Sequence, residues 1–182
     1  MQREKPLNPA PLVSVAIACS GASRAAVRST LEALGKQTYA NFEVCVVSEL
    51  AQAGLTDYEG IPKFRLVLFN GTAHEQLKAA EKMLNGAYFL QLLPGDLPAP
   101  DALHMLVLQT HANPEAEVVF ADEDSVIDGI RQNPIFKPDY GRDTLRSFNS
   151  IGRPMLVSKR VHTAVGGFRG STPAELWAYC ID

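Results

Sequence analysis

Short apolar runs rich in β-branched residues alternate with segments of helical spacing through about residue 120 of this chain. Such runs, each stopped by a turn sequence such as Ser20-Gly21 or Pro94-Gly95, are typical of buried parallel strands. The alternation predicts an α/β domain with a mostly parallel central sheet flanked by helices. We expect strands at Leu12–Ala18, Phe42–Val47, Phe64–Phe69, Ala87–Leu93 and Val118–Phe120.

Three intervening segments carry apolar residues at helical spacing. They run from Ala22 to Lys36 with Ser23 as cap, from His74 to Leu84 with Asn85-Gly86 as C-cap, and from Pro100 to His111. From Ala121 onward the segments are short and prolines are frequent. We therefore expect an irregular C-terminal extension after the α/β part.

Charge and composition exclude several classes of protein. The net charge of −3 and the dispersed basic residues leave no electrostatic footprint for nucleic acid. No apolar run approaches the roughly 20 residues that span a bilayer, and the polar N-terminus does not resemble a signal peptide. The three scattered cysteines argue against a disulfide framework or a zinc site. These features predict a cytoplasmic protein.

Ligands of open parallel sheets bind beyond the carboxyl ends of the strands. Glycines at Gly21, Gly71 and Gly95 follow strands there, and so do carboxylates at Glu49, Asp96 and 122–124. Glycine turns let backbone N–H groups approach a phosphate, and carboxylates suit a divalent cation. The sequence therefore predicts a phosphate-bearing ligand at this edge of the sheet.

Two sets of residues resemble a known family. The strand at Val13–Ile17, followed by a helix and then Gln37-Thr38-Tyr39-Ala40-Asn41-Phe42-Glu43, is similar to the opening of family 2 inverting glycosyltransferases of the GT-A fold. The later motifs are Asp122-Glu123-Asp124, Asp128-Gly129, Pro134–Tyr140 and Val165-Gly166-Gly167-Phe168-Arg169. They resemble the rhamnosyltransferase-like branch of that family, and the likeness runs from Val13 to the last residue.

The resemblance implies transfer of a sugar from a nucleoside diphosphate to an acceptor hydroxyl with inversion, in bacterial cell-surface polysaccharide synthesis. The implied partners are a nucleoside diphosphate sugar and a saccharide or lipid-linked acceptor, with Mg²⁺ or Mn²⁺ as cofactor. It implies a lead-in at 1–11, a nucleotide-binding α/β half at 12–121 and an incomplete acceptor-side segment at 122–182.

The chain departs from the family pattern at the places where that family binds its donor. An acidic motif usual after the second strand is replaced by Ser48-Glu49-Leu50-Ala51. The metal motif usual after the fourth strand is reduced to the single carboxylate of Asp96. The family continues beyond the point where this chain stops, Asp182. These departures predict a degenerate metal site and either a truncated or a divergent domain.

The resemblance also implies roles for individual residues. Ala18, Ser20, Glu49 and Asp96 are the expected nucleotide-sugar contacts, with Asp96 also the metal candidate; the alternative for Asp96 is an ordinary turn residue. Glu175 is the expected catalytic base, although a carboxylate in a first helical turn also compensates the helix dipole. The acceptor-side candidates, which could equally be solvated residues, are Asp122, Asp124 and Lys137.

Two other functions stay open on the sequence alone. A glycosyltransferase fold without its metal carboxylates can serve as a binding or scaffold domain. A nucleotidylyltransferase is the third alternative, but the chain lacks that class's early loop of glycine and arginine. The four histidines show no metal-ligand spacing, and no G-x-S-x-G or comparable motif supports Ser/His/Asp nucleophilic chemistry.

Overall fold

A computed structural model describes residues 7–49 and 61–181 of the chain. Leu50 and Ala51, part of the altered segment after the second predicted strand, lie outside the described residues. The strands are β1 Val13–Ala18, β2 Phe42–Ser48, β3 Phe64–Leu68, β4 Tyr88–Leu92, β5 Val118–Phe120, β6 Glu123–Ile127, β7 Ile130–Ile135 and β8 Met155–Ser158. The helices are α1 Arg24–Leu34, α2 Ala73–Glu81, α3 Ala102–Ala112, α4 Arg142–Ser147, α5 Lys159–Ala164 and α6 Pro173–Ile181.

Six strands form the central sheet in the order β3-β2-β1-β4-β8-β5. The first four pair in parallel, and β8 lies antiparallel to both β4 and β5. The α/β fold with a mostly parallel sheet flanked by helices is thereby confirmed. All five strands predicted from the apolar runs are present, and Ser23 caps α1 as expected.

Apolar side chains cover both faces of the sheet because successive residues of a strand point to opposite sides. On one face Val15 and Ile17 pack with Leu31 of α1 and Leu103 of α3. On the other face the alternate β1 residues pack with α2, α5 and α6 in a second buried cluster. Among the described residues, no helix combines the length and the apolar character that a membrane-spanning segment requires.

The C-terminal part is more regular than the sequence indicates. Strand β8 inserts between β4 and β5, so residues after 122 complete the sheet. Strands β6 and β7 form a separate hairpin, whose turn at Asp128-Gly129 has φ of 52° and 77°, the left-handed values that a tight hairpin turn requires.

One predicted helix end is wrong. The second helix stops at Glu81 with Lys82 as its C-cap, rather than at Asn85-Gly86. Gly86 is needed for a different reason, since a Cβ there would lie 2.5 Å from the Ser14 hydroxyl and 2.8 Å from the Leu12 carbonyl oxygen. The glycine lets the chain enter β4 in close contact with β1.

The segment from Gln37 to Glu43 has an architectural task at the amino ends of the strands. Gln37 donates to the Ala99 carbonyl at 2.7 Å and accepts from the Leu103 N–H at 3.0 Å, so it fixes the start of α3. Tyr39 and Asn41 donate to carbonyls of residues 10 and 11 in the lead-in. The motif that carries the early family resemblance therefore holds the scaffold together, away from the carboxyl edge.

Glu43 is the buried charge of this region, with 1% of its surface exposed. It accepts from the Ser14 hydroxyl at 2.7 Å, the Asn85 N–H at 2.6 Å and the Arg65 guanidinium at 2.7 Å. Burial opposes its ionisation, but these three donors outweigh burial and hold the pKa of Glu43 below its usual value. The carboxylate thus fastens three strands and the turn before β4.

Candidate functional site

The carboxyl ends of the parallel strands bring the predicted donor-binding residues to one edge. Ala18 ends β1, and Ser20 follows it; Glu49 directly follows β2. The Ser20 hydroxyl donates to the Glu49 carboxylate at 3.3 Å, so these two residues meet on the surface. Asp96 follows β4 on the other side of β1. Because neighbouring strands lie about 4.8 Å apart, the ends of β2 and β4 are separated by roughly 10 Å.

Gln76 of α2 fixes the turn after β1, and the sequence analysis did not identify it. Its side chain is fully buried, and its Oε1 accepts from the N–H groups of Cys19 and Ser20, each at 2.9 Å. Its Nε2 donates to the Phe69 carbonyl at the end of β3. Gln76 therefore connects two strand ends, and the N–H of Ser20 already has a hydrogen-bond acceptor in Gln76. In the sequence, the helical spacing indicated only that position 76 belongs to a helix.

The glycine turn after β4 faces inward. Gly95 has φ of 100°, a conformation that favours glycine, and its N–H donates to the Thr30 hydroxyl at 2.8 Å and to the Ala26 carbonyl at 3.0 Å. This N–H group points at α1, so the expectation that it approaches a phosphate is wrong. The turn instead fixes the direction of the residue after it, Asp96.

Asp96 is held by a cation of the same chain. Its Oδ2 lies 2.9 Å from Nη1 of Arg153 and accepts from the Leu93 N–H at 2.8 Å, and Oδ1 lies 3.2 Å from the same Nη1. Burial raises the pKa of Asp96, and the favourable effects of Arg153 and Leu93 offset only part of that. Arg153 was missed because no helical or strand pattern marked the residues before β8.

A cavity of about 810 Å³ lies beside this pair, between α3, β5 and the hairpin. This volume falls within the range of small-molecule sites. Asp96 and Arg153 line it, as do all three predicted acceptor-side residues, Asp122, Asp124 and Lys137. The structure therefore groups Asp96 with the acceptor-side candidates, while Ala18, Ser20, Glu49 and Glu175 lie outside the lining of the cavity.

Lys137 is a buried lysine, with only 4% of its side chain exposed. Its Nζ donates to the Arg153 carbonyl at 2.6 Å and lies 3.6 Å from the Glu123 carboxylate. Its backbone N–H donates to Asp122 at 2.8 Å. Burial lowers the pKa of the Lys137 ammonium, and the nearby carboxylates counteract part of that shift. Asp124 is separately paired with Arg131 at 2.9 Å.

Glu175 lies in the first turn of α6 and closes the end of that helix. One of its oxygens accepts from the N–H groups of Ser171 at 3.1 Å and Thr172 at 2.9 Å, and from the Thr172 hydroxyl at 2.7 Å. In return the Thr172 hydroxyl accepts from the Glu175 N–H. This reciprocal arrangement is a capping box. The Thr172 N–H and hydroxyl hold the pKa of Glu175 below its usual value.

The residues around Asp96 do not fit a divalent metal ion. Such ions take about six oxygen ligands, and carboxylates normally supply several of them. Asp96 is one carboxylate, and its two oxygens already contact a guanidinium and a backbone N–H. In residues 7–49 and 61–181 no group of three or more His, Cys, Asp or Glu side chains is arranged to hold a metal.

Comparisons with known sequences place the chain beside much longer proteins. No protein-family model matches the chain. It is 30% identical over 185 residues to the uncharacterized protein y4gI of Sinorhizobium fredii, covering 94% of this chain and 20% of that protein. It is 27% identical over 168 residues to the O-antigen biosynthesis protein RfbC of Myxococcus xanthus, covering 87% and 13%. The chain thus spans a fifth or less of these relatives.

Solved structures share the fold. S. aureus TarS 1-349 in complex with UDP is similar with a TM-score of 0.65 at 15% identity, over 91% of this chain and 53% of that chain. The mannosyltransferase PcManGT from Pyrobaculum calidifontis, in complex with GDP-Man and Mn²⁺, has a TM-score of 0.61 at 20% identity, over 91% and 49%. Both neighbours are GT-A-type glycosyltransferases, so the fold of this chain is GT-A-like.

Proposed function

We propose that this chain is the core of a glycosyltransferase that moves a sugar from a nucleoside diphosphate to an acceptor hydroxyl, with inversion, in the synthesis of a cell-surface polysaccharide. The GT-A-like fold carries the proposal, because its neighbours include complexes with UDP and GDP-Man. Similarity to an O-antigen biosynthesis protein supports the polysaccharide context. The rhamnosyltransferase-like branch, the bacterial origin and the cytoplasmic location stay predictions.

The donor contacts we propose are Ala18, Ser20, Glu49 and Asp96. Glu49 is exposed at the end of β2, with the Ser20 hydroxyl as its partner. A carboxylate in that position can accept hydrogen bonds from the two hydroxyls of a ribose. Ala18 ends β1 with its side chain buried in the apolar cluster that includes Leu77 of α2, so the donor contact proposed for Ala18 is one of its backbone. We expect a uridine or thymidine diphosphate sugar.

The cavity beside Asp96 is the proposed acceptor side. Asp122, Asp124 and Lys137 all line it. Carboxylates bind sugar hydroxyls well, because each oxygen accepts more than one hydrogen bond. A saccharide or lipid-linked sugar is therefore the acceptor class that we propose. The division into a donor half at 12–121 and an acceptor side at 122–182 is part of the same proposal.

The reaction needs a general base for the acceptor hydroxyl, and Glu175 is the proposed group. A useful base accepts a proton at neutral pH and releases it readily, which favours a pKa near 7. The capping hydrogen bonds lower the pKa of Glu175 instead. Transfer by Glu175 therefore requires that a substrate displace some of these bonds.

A second candidate function is a binding or scaffold module that lacks transfer activity. Two observations favour it: Glu175 closes a helix end, and Asp96 is bound to Arg153. Both residues have structural partners in the places where the family resemblance implies catalysis. Such a domain would still present its strand tips and cavity to a nucleotide sugar or a glycan.

Titration calorimetry with a panel of UDP-, dTDP- and GDP-sugars tests donor binding. We expect heat with at least one donor and a loss of about tenfold in affinity for Glu49→Ala, because a charged hydrogen-bond partner is removed. Glu115→Ala, at an exposed glutamate outside the cavity lining, is the matched control. Absence of heat with every donor would refute the proposed function.

Product formation separates the two candidates. Incubation of a donor that binds with saccharide and lipid-linked acceptors should release nucleoside diphosphate, and Glu175→Gln should abolish that release without weakening donor binding. Binding without release for all acceptors, with Glu175→Gln indistinguishable from the original chain, would favour the scaffold module.

A further inference from the structure

The pair of Asp96 and Arg153 is set by the topology of the sheet. Strand β8 runs antiparallel to β4, with Leu156 opposite Leu90, and antiparallel to β5, with Met155 opposite Phe120. The start of β8 therefore lies between the carboxyl ends of β4 and β5. Arg153, two residues before β8, reaches this edge beside the residue that follows β4, Asp96.

The guanidinium lies where a cation bound to Asp96 would lie. Its Nη1 contacts both carboxylate oxygens, at 2.9 and 3.2 Å, while the Leu93 N–H holds one of them from the protein side. The two side chains are 27% and 25% exposed, so the pair is partly withdrawn from water. A metal ion at Asp96 would have to displace an arginine that is already partly desolvated and hydrogen-bonded.

Lys137 fixes the backbone of the arginine. Its buried ammonium donates to the Arg153 carbonyl at 2.6 Å, and its N–H donates to Asp122. Two other carboxylates of the cavity wall also have cationic partners, Glu123 at 3.6 Å from Lys137 and Asp124 at 2.9 Å from Arg131. With Asp96, three carboxylates of the cavity wall are thus paired with cationic side chains of the same chain.

We infer that Arg153 is the resident counter-cation of Asp96 in place of a divalent metal, and that nucleoside diphosphate binding by this chain is independent of Mg²⁺ and Mn²⁺. The second half of this inference rests on the proposed function. Its physical basis is charge: a bare Asp96 would repel a diphosphate, whereas the pair with Arg153 carries no net charge. Lys137 is a positioning residue for that arginine.

Binding of Mn²⁺ alone tests whether Arg153 takes the place of a metal ion at Asp96, and this test needs no nucleotide. Free Mn²⁺ gives an electron paramagnetic resonance signal that disappears when the ion binds, so the chain can be titrated directly. We expect the original chain and Asp96→Asn to leave the same free signal up to on the order of 1 mM Mn²⁺, the range of weak cation sites. Saturable binding well below that range, lost in Asp96→Asn, would overturn the inference.

Arg153→Met is the variant expected to gain affinity for Mn²⁺, because it keeps the aliphatic bulk of the side chain and removes its charge. With Asp96 unpaired, we expect the variant to bind Mn²⁺ more tightly than the original chain. Arg160→Met is the matched control, since Arg160 also pairs with a carboxylate, Glu117 at 2.9 Å, and is 74% exposed. If Arg153→Met folds by circular dichroism yet gains no more Mn²⁺ affinity than Arg160→Met, Arg153 does not exclude a metal.

Donor binding with and without metal tests whether nucleoside diphosphate binding is independent of a divalent ion. By calorimetry with UDP-GlcNAc, GDP-Man and dTDP-sugars, we expect the affinity in EDTA to match that in Mn²⁺ within about twofold, and Arg153→Met to lose about tenfold in EDTA. A rise of tenfold or more on adding Mn²⁺ to the original chain would overturn it. If no donor binds at all, the proposed function fails, while the manganese titration still decides the role of Arg153.

Discussion

Two carboxylate–arginine pairs lie at opposite edges of the same sheet, and the pKa values of their carboxylates are shifted in opposite directions. Glu43, at the amino end of β2, is 2.7 Å from Arg65; Asp96, after the carboxyl end of β4, is 2.9 Å from Arg153. The pKa of Glu43 is below its usual value, and that of Asp96 is above its usual value.

The other hydrogen-bond donors explain the difference. Glu43 also receives the Ser14 hydroxyl and the Asn85 N–H, which together with Arg65 outweigh its burial. Asp96 receives one N–H, from Leu93, and the Glu123 carboxylate nearby disfavours its charge. A fully bonded carboxylate stabilises the fold, whereas an incompletely bonded one at a cavity keeps capacity for a ligand.

Removal of Glu43 should have the largest effect on stability. Glu43→Ala leaves the Ser14 hydroxyl, the Asn85 N–H and part of the Arg65 guanidinium without partners in a buried place. We expect the free energy of unfolding to fall by about 3 kcal/mol, as for other broken buried pairs. Urea denaturation measures it. Glu43→Gln, which keeps an acceptor oxygen, should lose about half as much; equal and small losses for both variants would contradict the anchoring role.

The pH dependence of stability should distinguish the two carboxylates next. Because the pKa of Glu43 is lowered, its stabilisation is complete above about pH 4.3, the ordinary glutamate value, and is lost as the pH falls through the lower folded value. Because the pKa of Asp96 is raised, its contribution is present below about pH 3.9 and is lost as the pH rises through the folded value.

Unfolding free energies measured between about pH 3 and pH 7 give the test. Relative to the original chain, Glu43→Gln should show a flatter loss of stability on acidification, and Asp96→Asn a steeper one. Parallel profiles for all three proteins would show that neither carboxylate has a shifted pKa.

The sequence predicted the first five strands because each is a short, mostly apolar run, as is typical of strands whose two faces are buried. The eighth strand escaped prediction because Met155–Ser158 is four residues long, and its partners lie far away in the chain. Its position in the sheet depends on contacts that local periodicity does not encode. The early glycosyltransferase-like motif located the scaffold rather than the site.

Candidate site residues could be proposed from the sequence where they lie close after a predicted strand. Glu49 and Asp96 were proposed in this way, because strand ends of a parallel sheet share an edge. Arg153 precedes β8, and Gln76 lies inside α2, so neither stood out among ordinary polar residues. Both act by contacts across the fold. Arg153 lies 57 residues from Asp96 in the sequence, and Gln76 lies 57 residues from Cys19.

Glu175 is a third carboxylate to compare with Glu43 and Asp96. Like Glu43, it accepts several hydrogen bonds from backbone N–H and hydroxyl groups. If its task is to cap α6, Thr172→Ala should lower the free energy of unfolding by about 1 kcal/mol, the usual cost of an N-cap residue. Thermal and urea unfolding measure the change, and Thr163→Ala, inside α5, controls for loss of a helical threonine. An unchanged stability would separate Glu175 from the capping role and leave it free for chemistry.

Asp96→Asn should have the smallest effect on stability, which would distinguish the Asp96–Arg153 pair from the Glu43–Arg65 pair. Asparagine keeps an oxygen for the Leu93 N–H, and Arg153 lies at a cavity where water can solvate it. Relief from burying a charge offsets the lost ion pair, so we expect a change within about 1 kcal/mol in the free energy of unfolding. A loss as large as that of Glu43→Ala, measured by urea denaturation at neutral pH, would mean that both pairs serve the fold alike. A small loss together with altered donor binding would instead confine the role of the Asp96 pair to the ligand-binding edge, because the scaffold would then persist without the pair.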